Sequence, residues 1–308
     1  ADAFITKCKT LYNQIDQYQT SMNEKIVSAV DRINEISKSI YEINCSVVEY
    51  EAAGHRANDL YDARNLLLDE LAKYVPIHTD KYSNGVETVS INGIPLVGSD
   101  NYYTMTTAQI EEGSSLLKPV WADNGGGDVF RDNLDFSAAA DTDIGTLRGI
   151  LVTRGSFKGN YSHMPQSPDV ADYTDEAGNV DQTAYKIALR NYEDEVRWYN
   201  KMEEPATITK VETQLDTLVH GVVTMINDVL CPNTTIEVVD ADGNIRTIKV
   251  LDEENAPVGC NGTMGNELFV RAGRERYTKE NVTLPDGTVK EVYRYNEEDP
   301  SDIYSLYS

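Results

Sequence analysis

Apolar residues recur at alternating steps of four and three along the first fifty residues of the chain. The row runs from Cys8 to Tyr50 without proline or glycine, and the polar residue Gln19 interrupts it. A seven-residue repeat of this length predicts one long helix whose apolar side faces another helix, with Gln19 setting the register against a facing polar group. The predicted seam contains Ile15, Met22, Ile26, Ile33, Ile36, Ile40, Ile43 and Val47.

A second row with the same spacing covers residues 208–229, shortly after Pro205, which favours a helix start. We predict that this helix packs on the N-terminal seam, so that the segments between the two helices form an insertion. Its share of the predicted seam is carried by Leu215, Leu218, Val222 and Met225.

Three further helices are predicted around these two. A helix from residue 58 to Val75, capped by Asn58 or Asp59 and stopped by Pro76, follows Gly54 so closely that it should fold back antiparallel to the first. A short amphipathic helix is predicted from residue 144 to 154, and a strongly charged one from 183 to 202.

The spacing of apolar residues changes to two between residues 77 and 107, and Asn84-Gly85 and Asn92-Gly93 are typical hairpin turns. A strand is predicted at 118–122, and further hairpins turn at Asp242-Gly243 and Asp286-Gly287. The predicted fold is therefore α+β, an antiparallel helical rod with inserted β-hairpins. We assign 1–76, 140–154 and 183–231 to the rod, 77–139 to a β-hairpin insertion packed on it, 155–182 to an irregular insertion and 232–308 to a β-rich segment that is a candidate second domain.

The charge balance limits the partners of this chain. Its 27 Lys and Arg residues stand against 51 Asp and Glu, a formal charge of −24. Such a surface repels phosphate backbones and anionic lipid, which argues against nucleic acid and membrane partners. The chain begins close to the start of a helix and stops at Ser308 without a terminating element, so we expect an excised segment of a longer protein. It has no signal peptide and no long apolar run, so we expect that it does not span a bilayer.

No spacing in the sequence favours catalysis, a cofactor or a metal site. The four cysteines show no C-x-x-C pair, and the four histidines are far apart. The glycines at 125–127 are not followed by the Lys-Ser/Thr of a phosphate loop. The segment from Asp240 resembles a calcium loop but has Leu251 where the bidentate glutamate belongs, so a hairpin turn is the better interpretation. We predict that the chain is not an enzyme.

Four ordered motifs resemble a known family. Residues 57–71, ANDLYDARNLLLDEL, are similar to the A-N-D-L-x-D-x-R-D-x-L-L-x-E-L signature of bacterial flagellar hook-associated protein 1. Residues 85–98, then 144–154, then 215–230 followed by 265–269, resemble its later motifs in the same order. Gly155 replaces the family's acidic residue, 155–204 resembles an insertion, and 232–308 does not align. The residues carried over from the first and third motifs are Asn58, Asp59, Leu60, Asp62, Arg64, Gly145, Leu147, Gly149 and Arg154.

The resemblance implies a structural part of the bacterial flagellum that joins hook to filament and is exported by the flagellar secretion system to the cell exterior. It implies contacts with hook protein subunits, with the second junction protein and with copies of itself in a helical ring, and it implies no catalysis and no cofactor. The resemblance also implies that the family's terminal helices, which hold the subunit in the tube, are missing here. We expect the contacts near Glu42, Glu49, Asp59, Arg64 and Asp69.

A second hypothesis remains open, a surface coiled-coil adhesin or ligand-binding module that uses the β insertion. Tyr102, Tyr103, Trp121 and Tyr161 would supply its aromatic patch. This hypothesis predicts a soluble ligand and no dependence on hook subunits.

Overall fold

The structure is a computed structural model that describes residues 1–123, 125–130, 145–174, 178–202, 205–240, 243–260, 262, 265–296 and 304–306. Parts of several predictions lie outside these residues: Asn124 before the glycine loop, residues 131–139 of the β insertion, residues 140–144 of the rod with Ile144, and Asp242 of the predicted turn.

Five helices are described, all near their predicted positions. They are α1 (Asp2–Ala52), α2 (Asn58–Tyr74), α3 (Gly145–Arg154), α4 (Gln182–Met202) and α5 (Thr207–Leu230). Gly54, just after α1, has φ +83°, a conformation that glycine adopts without strain. The predicted cap of α2 is wrong, because Ala57 occupies that position and no side chain caps the helix.

Two small antiparallel sheets follow α2. The first has the order β1 (His78–Lys81), β2 (Glu87–Ile91), β3 (Ile94–Val97), and the second pairs β4 (Met105–Gln109) with β5 (Leu117–Trp121). Asn92 and Gly93 turn β2 into β3 with φ values of 50° and 79°. Positive φ at both central residues matches the right-handed twist of the strands, as predicted for this dipeptide.

The last four strands close into a barrel with the order β6–β7–β9–β8. They are β6 (Asn233–Val239), β7 (Ile245–Leu251), β8 (Tyr277–Thr283) and β9 (Val289–Tyr295), and each predicted hairpin forms. Alternate side chains point inward, as expected for a closed sheet. The barrel interior is filled by Val238, Ile248, Val250, Val282 and Val292.

The chain divides into two compact units. The helical unit contains residues 14–158 and 168–210, and the barrel unit contains 1–13, 159–167 and 211–308. Both α1 and α5 therefore contribute to both units, which differs from the four segments predicted from the sequence. The mixture of long helices and antiparallel sheets confirms the α+β class.

The N-terminal seam forms the core of the helical unit. Its isoleucines from Ile26 to Ile40 pack with Leu68 and Leu71 of α2 and with Leu147 of α3. Buried residues of the two sheets, including Trp121, complete this core. An ion pair joins Arg32 of α1 to Glu70 of α2, and a hydrogen bond joins Asn44, further along α1, to Arg64, which comes earlier on α2. The α2 helix is therefore antiparallel to α1, as predicted.

Candidate functional site

Side-chain amides on α1 hold the strands of the helical unit. Asn34 donates to the carbonyl of Met105 and accepts from its N–H, both at 2.9 Å. Asn44 does the same with Glu87, donating at 2.8 Å and accepting at 3.3 Å. Each amide thus takes the place of a missing strand partner, which satisfies backbone groups that would otherwise be costly to bury.

Asn23 completes this series. Its amide donates to the Ser115 carbonyl at 2.8 Å and accepts from Leu117 N–H at 3.2 Å. We name Asn23, Asn34 and Asn44 the amide series; they stand 11 and 10 residues apart, about three helical turns. Sequence analysis missed the series, although polar residues beside the seam at every third turn were a signal that could have shown it.

Arg64 of the first family motif is the centre of a buried ion pair. Its side chain is 3% exposed and donates to Asn44 Oδ1 at 2.8 Å and to the Gly85 carbonyl at 2.7 Å. Nη2 lies 3.0 Å from Oε2 of Glu87, which is 2% exposed. A charge buried this deeply needs its partner, so Arg64 stabilises the fold, and its place near a subunit contact stays a prediction.

The rest of the first motif lies outside the core. Asn58, Asp59 and Asp62 are exposed, and Leu60 is half-buried. Their positions leave them available to other molecules, unlike Arg64.

Arg154 of the third motif joins three parts of the helical unit. It is 1% exposed, and its Nη1 donates to Asn23 Oδ1 and to the Leu117 carbonyl, both at 2.6 Å. Burial lowers the pKa of Arg154 to about 10. Gln19 donates to the Arg154 carbonyl at 3.3 Å, so the polar residue of the seam does face a polar group.

Gly145, Leu147 and Gly149 of the third motif have different roles in packing. Gly145 has φ +70°, and a Cβ there would lie 2.5 Å from the Tyr74 carbonyl oxygen. Leu147 is fully buried in the core, whereas a Cβ on Gly149 would meet open space. Gly145 is therefore required by the packing of α3 on α2, and nothing in the structure explains Gly149.

Gly155, which departs from the family pattern, also stands where a side chain does not fit. It has φ +82°, and a Cβ would lie 2.0 Å from Thr209 Oγ1. A residue with a side chain would strain the backbone and displace the start of α5.

The prediction for α5 is corrected by the structure. Leu218 and Met225 are 56% and 62% exposed, Leu215 and Val222 are half-buried, and the buried face of α5 combines Val219 and Val223 with several polar residues. Most of the hydrogen bonds of these polar residues are accepted from irregular segments of the barrel unit, whereas Thr209 donates to the Phe157 carbonyl at 3.1 Å. The buried polar residues of α5 are Thr209, Glu212, Thr213, Asp216 and Asn227.

One of these residues shows the arrangement clearly. Asn227 Oδ1 accepts from the N–H groups of Leu268 and Phe269 at 3.0 and 3.1 Å, and its Nδ2 donates to the Phe269 carbonyl at 2.8 Å. The amide thereby fixes a segment that belongs to no strand. The apolar residues that α5 leaves exposed or half-buried at alternating steps of four and three form what we call the α5 stripe: Val211, Leu215, Leu218, Val222, Met225 and Val229.

The predicted aromatic patch is not formed. Trp121 is 1% exposed within the core of the helical unit, and Tyr161 belongs to the barrel unit, where it stacks on His220. Tyr102 packs against Tyr41 at a ring-centre distance of 5.6 Å. These side chains are used in internal packing, which removes the sequence argument for a ligand site in the β insertion.

The described residues contain no group of three His, Cys, Asp or Glu side chains that could hold a metal ion. None of the helices in the described ranges combines the length and apolar character needed to cross a membrane. Glu42, Glu49, Asp59 and Asp69, which we expected near contacts, are exposed.

Comparison with known proteins gives a match to a family model and matches to solved structures. A family model described as "Flagellar hook-associated protein FlgK helical domain" matches residues 1–191. A solved structure, the flagellar hook junction protein FlgK from Burkholderia pseudomallei, is similar over 43% of this chain at 22% identity and a TM-score of 0.38. The similarity covers 24% of that protein, so the chain spans about a quarter of its length. No curated protein sequence matches the chain.

Proposed function

We propose, since this chain belongs to the flagellar hook-associated protein FlgK helical-domain family, that it is a structural part of the bacterial flagellum that joins hook to filament through subunit contacts, without catalysis. Its partners are hook protein subunits, the second junction protein and further copies of itself in a helical ring. It acts outside the cell after export by the flagellar secretion system.

The observation that carries this proposal is the α5 stripe. Leu218 and Met225 are more than half exposed, and their neighbours along the stripe are uncharged. Isolated exposed apolar residues are common, but a continuous stripe along a helix is typical of a surface that another helix covers. Its heptad spacing is that of a seam between helices, so assembly would bury what this chain leaves exposed.

The buried polar contacts supply the second requirement of a junction, a fixed shape. Arg64, Arg154 and the amide series tie the helices of the helical unit to its strands, and all of these side chains except the half-buried Asn34 are buried. Such networks favour one arrangement because every alternative leaves a polar group without its partner. The helical unit would therefore transmit load without changing its internal packing.

The proposal is tested by complementation of a flagellated host that lacks its own junction protein, with the gene that encodes this chain. We expect Leu218→Asn with Met225→Asn to reduce motility and to release monomeric flagellin into the medium, because the stripe loses its apolar contact. The matched control is Ile245→Asn with Val289→Asn, which changes two equally exposed apolar residues on the barrel.

Attached filaments in the stripe variant, at normal protein level, would contradict the role of the α5 stripe. If the unaltered gene also fails to restore filament attachment, the junction function itself is wrong. Loss of attachment in both double variants would show that the effect is not specific to α5.

A further inference from the structure

A short turn of the barrel unit is held on α5 by two carboxylates. Glu212 Oε2 accepts from Gly159 N–H at 2.9 Å, and Asp216 Oδ2 accepts from Tyr161 N–H at 2.9 Å. Both carboxylates are buried. Hydrogen bonds from the backbone N–H groups of residues 159–163, which we call the latch, to these two carboxylates therefore help to hold the latch on α5.

The shape of the latch depends on the protonation of His163. Asn160 Oδ1 accepts from Ser162 N–H at 2.9 Å, and Asn160 N–H donates to Nδ1 of His163 at 3.3 Å. These reciprocal bonds form a capping box around one turn. Since Nδ1 is the acceptor, the ring must carry its proton on Nε2 and be neutral.

Burial and the nearby charge of Asp216 shift the pKa of His163 in opposite directions. Burial lowers the pKa of His163, and the negative charge of Asp216 opposes this shift without cancelling it. Burial raises the pKa of Asp216, which the N–H groups of Leu306 and Tyr161 and the charge of His220 counteract. Glu212 lies one turn before Asp216 on the same helix.

The hydrogen bond of the His220 ring differs from that of the His163 ring, because its partner is a carbonyl oxygen. Its Nδ1 lies 2.9 Å from the Tyr304 carbonyl oxygen, which can only accept, so Nδ1 carries a proton whether the ring is neutral or charged. Its ring stacks on Tyr161 with centres 4.1 Å apart. Protonation of His220 at Nε2 keeps its hydrogen bond, whereas protonation of His163 at Nδ1 breaks one.

We propose that residues 159–163 form an acid-sensitive latch on α5, which neutral His163 keeps closed and which opens when a proton replaces the Asn160 N–H at Nδ1. A histidine whose pKa is lower in the folded than in the unfolded chain stabilises the folded state fully above the unfolded value, about 6.5, and this contribution is lost as pH falls through the folded value. The latch is thus closed at neutral pH and opens as the pH falls through the pKa that His163 has in the folded chain.

The test is amide hydrogen exchange of the full chain at pH 7.5 and pH 5.0, corrected for intrinsic exchange rates. We expect protection at Gly159, Asn160 and Tyr161 to fall at the lower pH, because the pKa of His163 is lower in the folded than in the unfolded chain. Protection at Leu268 and Phe269, which are bonded to the non-titrating Asn227, should not change.

Two variants separate the histidines. His163→Asn keeps an oxygen acceptor near the Nδ1 position but cannot titrate, so its latch should be equally protected at both pH values. His220→Asn should retain the fall in protection. If the fall persists in His163→Asn, or is absent from the unaltered chain, the proposal is overturned.

A measurement on the unaltered chain makes the test independent of how the variants fold. Nitrogen chemical shifts of the His163 ring at pH 7.5 should show a proton on Nε2 and none on Nδ1. A proton on Nδ1 at that pH would overturn the proposal.

Discussion

The buried pair Arg64–Glu87 gives the sharpest prediction for stability. Arg64→Met removes a side chain that is 3% exposed and leaves the Glu87 carboxylate inside the core. The remaining cation near Glu87 is Lys81, whose Nζ is 3.7 Å away on a side chain that is 69% exposed. Removing one member of a buried pair costs about 3–5 kcal/mol, and we expect the lower end because Lys81 partly compensates.

The double variant Arg64→Met with Glu87→Leu removes both charges. The Gly85 carbonyl then loses the donor that reached it at 2.7 Å, which costs about 1 kcal/mol, while the apolar pair costs little. We therefore expect the double variant to be about 2 kcal/mol more stable than Arg64→Met alone. This order of stabilities distinguishes an uncompensated charge from a simple loss of packing.

Urea unfolding followed by tryptophan fluorescence measures the difference. The chain has two tryptophans, and Trp198→Phe leaves Trp121, buried in the same core, as the reporter of the helical unit. An Arg64→Met variant that loses less than about 1 kcal/mol, or a double variant no more stable than it, would refute the reasoning from charge burial.

Two further predictions concern single residues. Gly155→Ala should destabilise the helical unit by about 2 kcal/mol or more in the same assay, because the added Cβ makes a 2.0 Å contact in addition to the cost of positive φ. Gly93→Ala, where a Cβ meets open space, should cost only about 1 kcal/mol. Equal losses of stability in the two variants would contradict the steric argument. Exposed Cys45 and Cys260 should react with a thiol reagent at pH 8 well before buried Cys8 and Cys231, because burial raises the pKa values of the latter two. Equal reaction rates for all four thiols would contradict this difference in burial.

The sequence was informative wherever one physical signal dominated. The helices and hairpins follow from spacing and from dipeptides such as Asn92-Gly93, because periodic burial and positive φ leave direct marks on residue choice. The family motifs were also recognisable, and Arg64, Gly145 and Arg154 prove to be the residues that tie α2 and α3 to the rest of the helical unit.

The orientation of α5 could not be read from the sequence. Hydrophobicity alone turns Leu218 and Met225 inward, but the chain buries Asp216 and Asn227 instead, because they bond to backbone groups of distant loops. Such partners are brought together by the fold and leave no periodic pattern. The same reason explains why sequence analysis does not identify Asn34 and Asn44 as partners of the strands.

The amide series has a mechanical consequence. To move the strands lengthwise along α1, the paired hydrogen bonds at Asn23, Asn34 and Asn44 must all break before any can re-form. The next asparagine lies about three turns further along the helix, about 16 Å away, so a small slip finds no new partner. Hydrogen bonds loaded in shear in this way share the applied force and break together. We therefore expect the strands of the helical unit to stay in place up to a threshold force and then to detach abruptly.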